Sequence, residues 1–185
     1  MPLTSTHALV PCAVALAFAP RPTPWRLIAI AALASAAPDA DWFVKYLGNI
    51  PATSIYSHRG AAHSLFVALL VGLAATLLSK SLRVSPLTAG VAVGAAMASH
   101  GFLDMMTNSG EPVAYLWPLT STRLWADWRP IQSTPVHLQS LVYGILIRVR
   151  TEAYQLILPM FAAALAIRGA RSVLQWRTEE RTRIG

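Results

Sequence analysis

Five stretches free of Asp, Glu, Lys and Arg constrain this chain most: Met1 to Pro20, Leu27 to Pro38, Gly60 to Ser79, Val84 to Leu103 and Ala153 to Ile167. Three of them reach 20 residues. At about 1.5 Å per residue, that length carries an α-helix across a hydrocarbon core of about 30 Å. The second stretch has 12 residues, about 18 Å of helix, so it is either a half-span or draws its flanks into the headgroup region. With 55% apolar and 12% charged residues in 185, the chain has more apolar surface than one soluble domain buries. The expected fold is all-α, a multi-pass helical membrane bundle of about five helices. Residues 1–168 form its membrane domain, the loop 107–152 caps one end, and 169–185 make a basic cytoplasmic tail. The first run carries Ala17-Phe18-Ala19, a small-residue pattern like a signal-cleavage site, but lacks a basic leader. It is therefore expected to stay as a helix.

The net charge of +7 raises nucleic acid as a partner, and its distribution argues against it. Arg21, Arg26, Lys80, Arg83, Arg168, Arg171, Arg177, Arg181 and Arg183 fall in alternate connections. Lys45, Arg59, Arg123, Arg129, Arg148 and Arg150 fall in the others. That bias matches the positive-inside pattern and puts the first group in the cytoplasm. Trp42, Tyr46, Tyr56, Tyr115, Trp117, Trp125 and Trp128 are expected at one interface, and Trp25 and Trp176 at the other. The single Cys12 excludes a disulfide framework.

Threaded in chain order, the runs bring His7, Asp39, Asp41, His58, His63, His100 and Asp104 to one end, the non-cytoplasmic face. His100 and Asp104 are four apart, about 40° on a helical face, so both can reach one ion. The dipole disfavours an acid in a helix's last turn, and a nearby cation relieves that cost. His58 and His63 are five apart, about 140° on a regular helix, so they converge only if His58 precedes the helix that begins near Ala61; Gly60 permits the break. Taken singly, each residue also has a blander reading: interfacial packing, a cap, or a solvated acid in the Pro38-Asp39-Ala40-Asp41 turn that ends the second helix. Their shared side favours a metal site of imidazoles and carboxylates, suited to a divalent transition metal, Zn2+ first, with Mn2+ or Fe2+ as alternatives. Seven donors exceed the four one zinc needs, so two or three ions are expected. Glu152, at the start of the last helix, shares that face. Pro159 is expected to kink this helix.

At these residues the chain resembles the bacterial membrane-bound metal-dependent hydrolases, the YdjM-like inner-membrane proteins. The likeness runs through Thr6-His7-Ala8, Pro38-Asp39-Ala40-Asp41, His58-Arg59-Gly60-Ala61-Ala62-His63-Ser64, His100-Gly101-Phe102-Leu103-Asp104 with Thr107-Asn108, Trp117-Pro118, Arg123, Trp128-Arg129-Pro130-Ile131 and Glu152. It implies hydrolysis at the inner membrane. The family's wider similarity to zinc-dependent phospholipase C suggests a phosphoester. His137 departs from the pattern and is read as incidental.

The resulting expectation is a membrane hydrolase for a small or lipid-like substrate arriving from the bilayer. Arg59 or Arg123 would hold an anionic group, and Asp41 or Glu152 would act as base. A metal transporter or sensor is the rival, although transport sites lie near the midplane on broken helices. A protein with a structural metal is the third reading.

Overall fold

The computed structural model describes residues 2–20, 22–132 and 141–184, and these form a helical membrane bundle. Its helices are α1 (Thr4–Phe18), α2 (Trp25–Ala36), α3 (Asp41–Leu47), α4 (Leu65–Leu77), α5 (Ser79–Leu82), α6 (Pro86–Met105), α7 (Leu141–Glu152) and α8 (Leu158–Ile184). Among the described residues, three continuous helical stretches are long and apolar enough to cross a membrane: Trp25–Lys45, Pro86–Met105 and Val142–Glu180. Leu69, Leu73, Leu77, Val91 and Leu165 are exposed on the outside of the bundle, as a lipid-facing surface requires.

The second run does not stop at Pro38. A 3-10 turn, Ala37–Ala40, joins α2 to α3 with the proline in its first turn, where its missing N–H costs no hydrogen bond. The run thereby gains spanning length and carries Asp39 and Asp41 on a structured turn. The third run behaves in the opposite way. Its helix begins at Leu65, later than expected, because Ala61–His63 form a separate 3-10 turn and Ser64 is extended at φ −82, ψ 153. The Ser64 hydroxyl caps α4 by accepting from the Val67 N–H at 3.2 Å, as a serine N-cap does.

The expected cap loop is shorter than 107–152, since α7 occupies Leu141–Glu152. Neither Arg148 nor Arg150 breaks a helix, and charge alone is no stop signal. A π-helical turn, Ala153–Ile157, links α7 to α8. Pro159 explains its place: a helical proline clashes with the carbonyl four residues back, here Gln155, and the widened turn relieves the clash. The tail assigned to 169–185 continues as helix to Ile184. His137 lies outside the described residues.

Helices α4 and α6 pack through small residues. A Cβ placed on Gly72 would lie 2.8 Å from the Gly90 carbonyl oxygen and 3.1 Å from the Gly94 Cα, so the two backbones touch, as small-residue faces allow in membranes. Ala68, Ala75, Ala89 and Val93 continue the core. At one end of the bundle, Arg168 and Arg171 donate to the Leu16 and Ala17 carbonyls at 2.7 and 2.8 Å. They satisfy acceptors that the end of α1 leaves without helical partners. At the other end the cap is tied to α6: Ala126 N–H donates to Met105 O at 3.1 Å and Ile131 N–H to Met106 O at 3.2 Å.

Candidate metal centre

Each run end delivers its polar residue to one buried cluster. His7 comes from the first turns of α1, Asp39 from the 3-10 turn and Asp41 from the start of α3. His58 and His63 come from the approach to α4, and His100 and Asp104 from the last turns of α6. His7, His100 and Asp104 have no exposed surface, while Asp39, Asp41 and His58 keep 7–8%. The cluster therefore keeps a narrow opening at Asp39, Asp41 and His58.

His63 and His100 set its centre, with their Nε2 atoms 3.1 Å apart. His100 Nδ1 lies 2.7 Å from the Ser35 carbonyl oxygen, which can only accept, so the proton of the neutral ring sits on Nδ1. His63 Nδ1 lies 3.1 Å from Asp41 Oδ2, which fixes the same tautomer there. Burial removes hydration from the His63 imidazolium and holds its pKa below the ordinary value. With the His100 ring neutral as well, two bare lone pairs face one another. Carboxylates surround them: Asp39 Oδ1 is 3.4 Å from His100 Nε2 and 4.0 Å from His63 Nε2, and Asp104 Oδ2 is 3.9 and 3.6 Å from the same atoms.

Four acceptors pointing inward repel one another unless a cation lies among them. Tetrahedral ligands at 2.0–2.1 Å from zinc are about 3.3–3.4 Å apart, close to the shorter of these separations. Asp39 Oδ1, Asp104 Oδ1 and both His7 nitrogens are buried without a hydrogen-bond partner. Charge agrees. Asp39, Asp41 and Asp104 bring three negative charges and Arg59 one positive charge, leaving −2 with neutral imidazoles, which one divalent ion neutralises. The residues present fit a metal ion.

A second triad, Asp41, His58 and His63, also converges, but it shares His63. Asp41 accepts from His58 Nδ1 at 2.6 Å, and its other oxygen lies 3.1 Å from His63 Nδ1. That is how a carboxylate orients metal-binding imidazoles through their other nitrogen. His7 stacks on His100, ring centroids 3.7 Å apart at 19°, with its Nε2 3.6 Å from Asp104 Oδ1.

Arg59, Arg123 and Glu152 are engaged elsewhere than the sequence suggests. Arg59 is fully buried. Its Nε is 3.0 Å from Asp104 Oδ2, its Nη2 donates to Thr107 Oγ1 at 3.1 Å, and its Nη1 donates to the Glu111 carbonyl. Its Cζ also lies 5.5 Å from the Trp125 ring centroid. Arg123 donates to the carbonyls of Ser54 and His58 at 2.8 and 2.9 Å. Glu152 accepts from the Leu3 N–H at 2.9 Å and from the Thr6 hydroxyl. It thus caps α1, which has no capping side chain of its own, with an acid where the dipole favours one. Arg59 and Arg123 fasten the cap and Glu152 fastens the first helix.

Sequence reasoning missed Ser35 and Thr4. Ser35 is fully buried, gives its carbonyl to His100, and its hydroxyl donates to the His7 carbonyl at 2.9 Å. Thr4 donates to Asp39 Oδ2. The signal for Ser35 was its position four residues before Asp39 in an otherwise apolar run.

Fold and cluster together define a helical membrane protein with a buried histidine and aspartate centre able to hold a metal ion. The chain belongs to the YdjM inner membrane protein family, which it matches over residues 1–176. Inner membrane protein YbcI of Escherichia coli (strain K12) is 30% identical over 139 residues, covering 75% of this chain and 80% of that protein. No solved structure matches the chain, so the suggested likeness to phospholipase C has no support among solved structures.

Proposed function

We propose that this protein is a metal-dependent hydrolase of the inner membrane, acting on a small or lipid-like phosphoester. The observation that carries the reading is the 3.1 Å approach of the His63 and His100 Nε2 atoms inside a ring of carboxylates. His63, His100, Asp39 and Asp104 would hold the ion. A divalent transition metal, zinc by its fit to this donor set, supplies a Lewis acid and lowers the pKa of a water molecule.

The surrounding residues do the rest. Ser35 and Asp41 keep the imidazoles in the ligating tautomer. His58 and Asp41 form the hydrogen-bonded pair at the open edge, placed to take up and hold a proton on the side where a substrate enters. Asp41 keeps the role of base in this reading; Arg59, Arg123 and Glu152 become framework. A neutral His63 ring ligates through one nitrogen only, so the geometry favours one central ion over two or three.

Purified protein, with its metal content measured, should hydrolyse a phosphoester after loading with zinc or manganese and lose that activity on chelation. Asp104→Asn should abolish turnover. Bound metal without turnover of any phosphoester, ester or amide would overturn the hydrolase reading. It would leave an ion that welds helix ends, a role the full burial of His7, His100 and Asp104 also suits.

A further inference from the structure

A second feature lies in the opposite half of the bundle. An apolar cavity of about 810 Å³ is framed by α1, α2 and α6 and lined by such residues as Val14, Phe18, Ile28, Val91 and Ala95. It runs along α6 from Ser85 to Ser99, about 21 Å at about 1.5 Å per residue. That exceeds one leaflet of a hydrocarbon core about 30 Å thick without crossing it. The occupant therefore enters from one leaflet and stops inside.

The lining is almost wholly apolar along its length, which suits a flexible acyl chain of the surrounding bilayer. Charge then selects the headgroup. Arg26, Lys80 and Arg83 are all exposed at the Ser85 end, where Arg26 donates to the Ser81 carbonyl at 3.0 Å. The only acids in the first 103 residues are Asp39 and Asp41, both at the far end. At its inner end the cavity stops beside Ser99, one residue before His100, and neither His7 nor His100 has exposed surface. The groove does not open onto the metal cluster, so its occupant is not the substrate.

We propose that this groove binds one anionic phospholipid of the bilayer, its acyl chain between α1, α2 and α6 and its phosphate against Arg26, Lys80 and Arg83. The site stands independently of the metal reading.

Native mass spectrometry of the detergent-solubilised full chain, with phosphatidylglycerol or phosphatidylcholine added, tests it. One phosphatidylglycerol should be retained per chain in preference to phosphatidylcholine. Arg26→Ala and Arg83→Ala should each weaken that retention about fivefold, the effect of one cation near an anionic headgroup. Ala95→Phe should exclude both lipids by filling the groove from an exposed position; Val91→Trp serves the same purpose if the first variant does not fold. Equal retention of the two lipids, or undiminished phosphatidylglycerol in a folded groove-filling variant, would overturn the proposal.

Discussion

Arg59 Nε lies 3.0 Å from Asp104 Oδ2, and neither side chain exceeds 1% exposure. Arg59 also adopts a positive φ of 60, a conformation a non-glycine residue keeps only when its surroundings enforce it. The guanidinium thus joins the end of α6 to the cap and balances one of the three carboxylates.

Removing that cation should leave Asp104 buried and unpaired. Arg59→Met is expected to destabilise the metal-free protein by about 3–5 kcal/mol, read as thermal or chemical unfolding in detergent. Arg59→Met with Asp104→Asn should recover a large share, because no unpaired charge remains. Equal stability of Arg59→Met and the parent would show that the pair does not hold the cap.

Metal content should separate ligands from orienting residues. His100→Ala is expected to abolish the tightly held ion, whereas His58→Ala should retain it with affinity about 10–100-fold lower, as loss of an outer hydrogen-bonding partner typically gives. Elemental analysis and competition with a chelator check this. Comparable loss in both variants would instead favour a second ion at Asp41 and His58.

The pKa of His63 is held down by burial. The folded chain therefore binds fewer protons than the unfolded one as pH falls below the ordinary imidazole value of 6.5. Its contribution to stability is complete above that value and declines below it, until the folded ring also protonates. Protons compete with metal over the same range. Acid titration from pH 7.5 towards about 5 should lower unfolding stability and release metal together. Metal retention unchanged across that range would remove imidazole ligation.

Two helical glycines should respond oppositely to alanine. Gly72→Ala places a methyl group 2.8 Å from the Gly90 carbonyl oxygen, forcing α4 from α6 at a cost of about 1–3 kcal/mol. A Cβ on Gly169 meets nothing within 4 Å, so Gly169→Ala should stabilise by about 0.4–1 kcal/mol. Unfolding of the paired variants measures both. A neutral Gly72→Ala would contradict the close approach of the helices.

The helical character and the meeting of His7, Asp39, Asp41, His58, His63, His100 and Asp104 were legible because charge-free runs reveal spans and fix which ends meet. Helix limits near Pro38 and Ala61 were not, since local proline and glycine signals do not say whether a 3-10 turn will carry the chain onward. The roles of Arg59, Arg123 and Glu152 depend on contacts across large sequence separations. An arginine in a ligand-rich motif reads the same whether it meets a substrate or a neighbouring carbonyl.

Glu152 holds the Leu3 N–H and the Thr6 hydroxyl, 149 and 146 positions away along the chain. The start of the chain is thus fastened by a residue made near its end. During synthesis α1 enters the membrane long before its anchor exists, and His7, one residue beyond Thr6, has no fixed place until α7 docks. Any metal loading would therefore wait for that docking. A chain cut short before residue 152 would reach the membrane with most of its ligands and none of the closure that keeps an ion in.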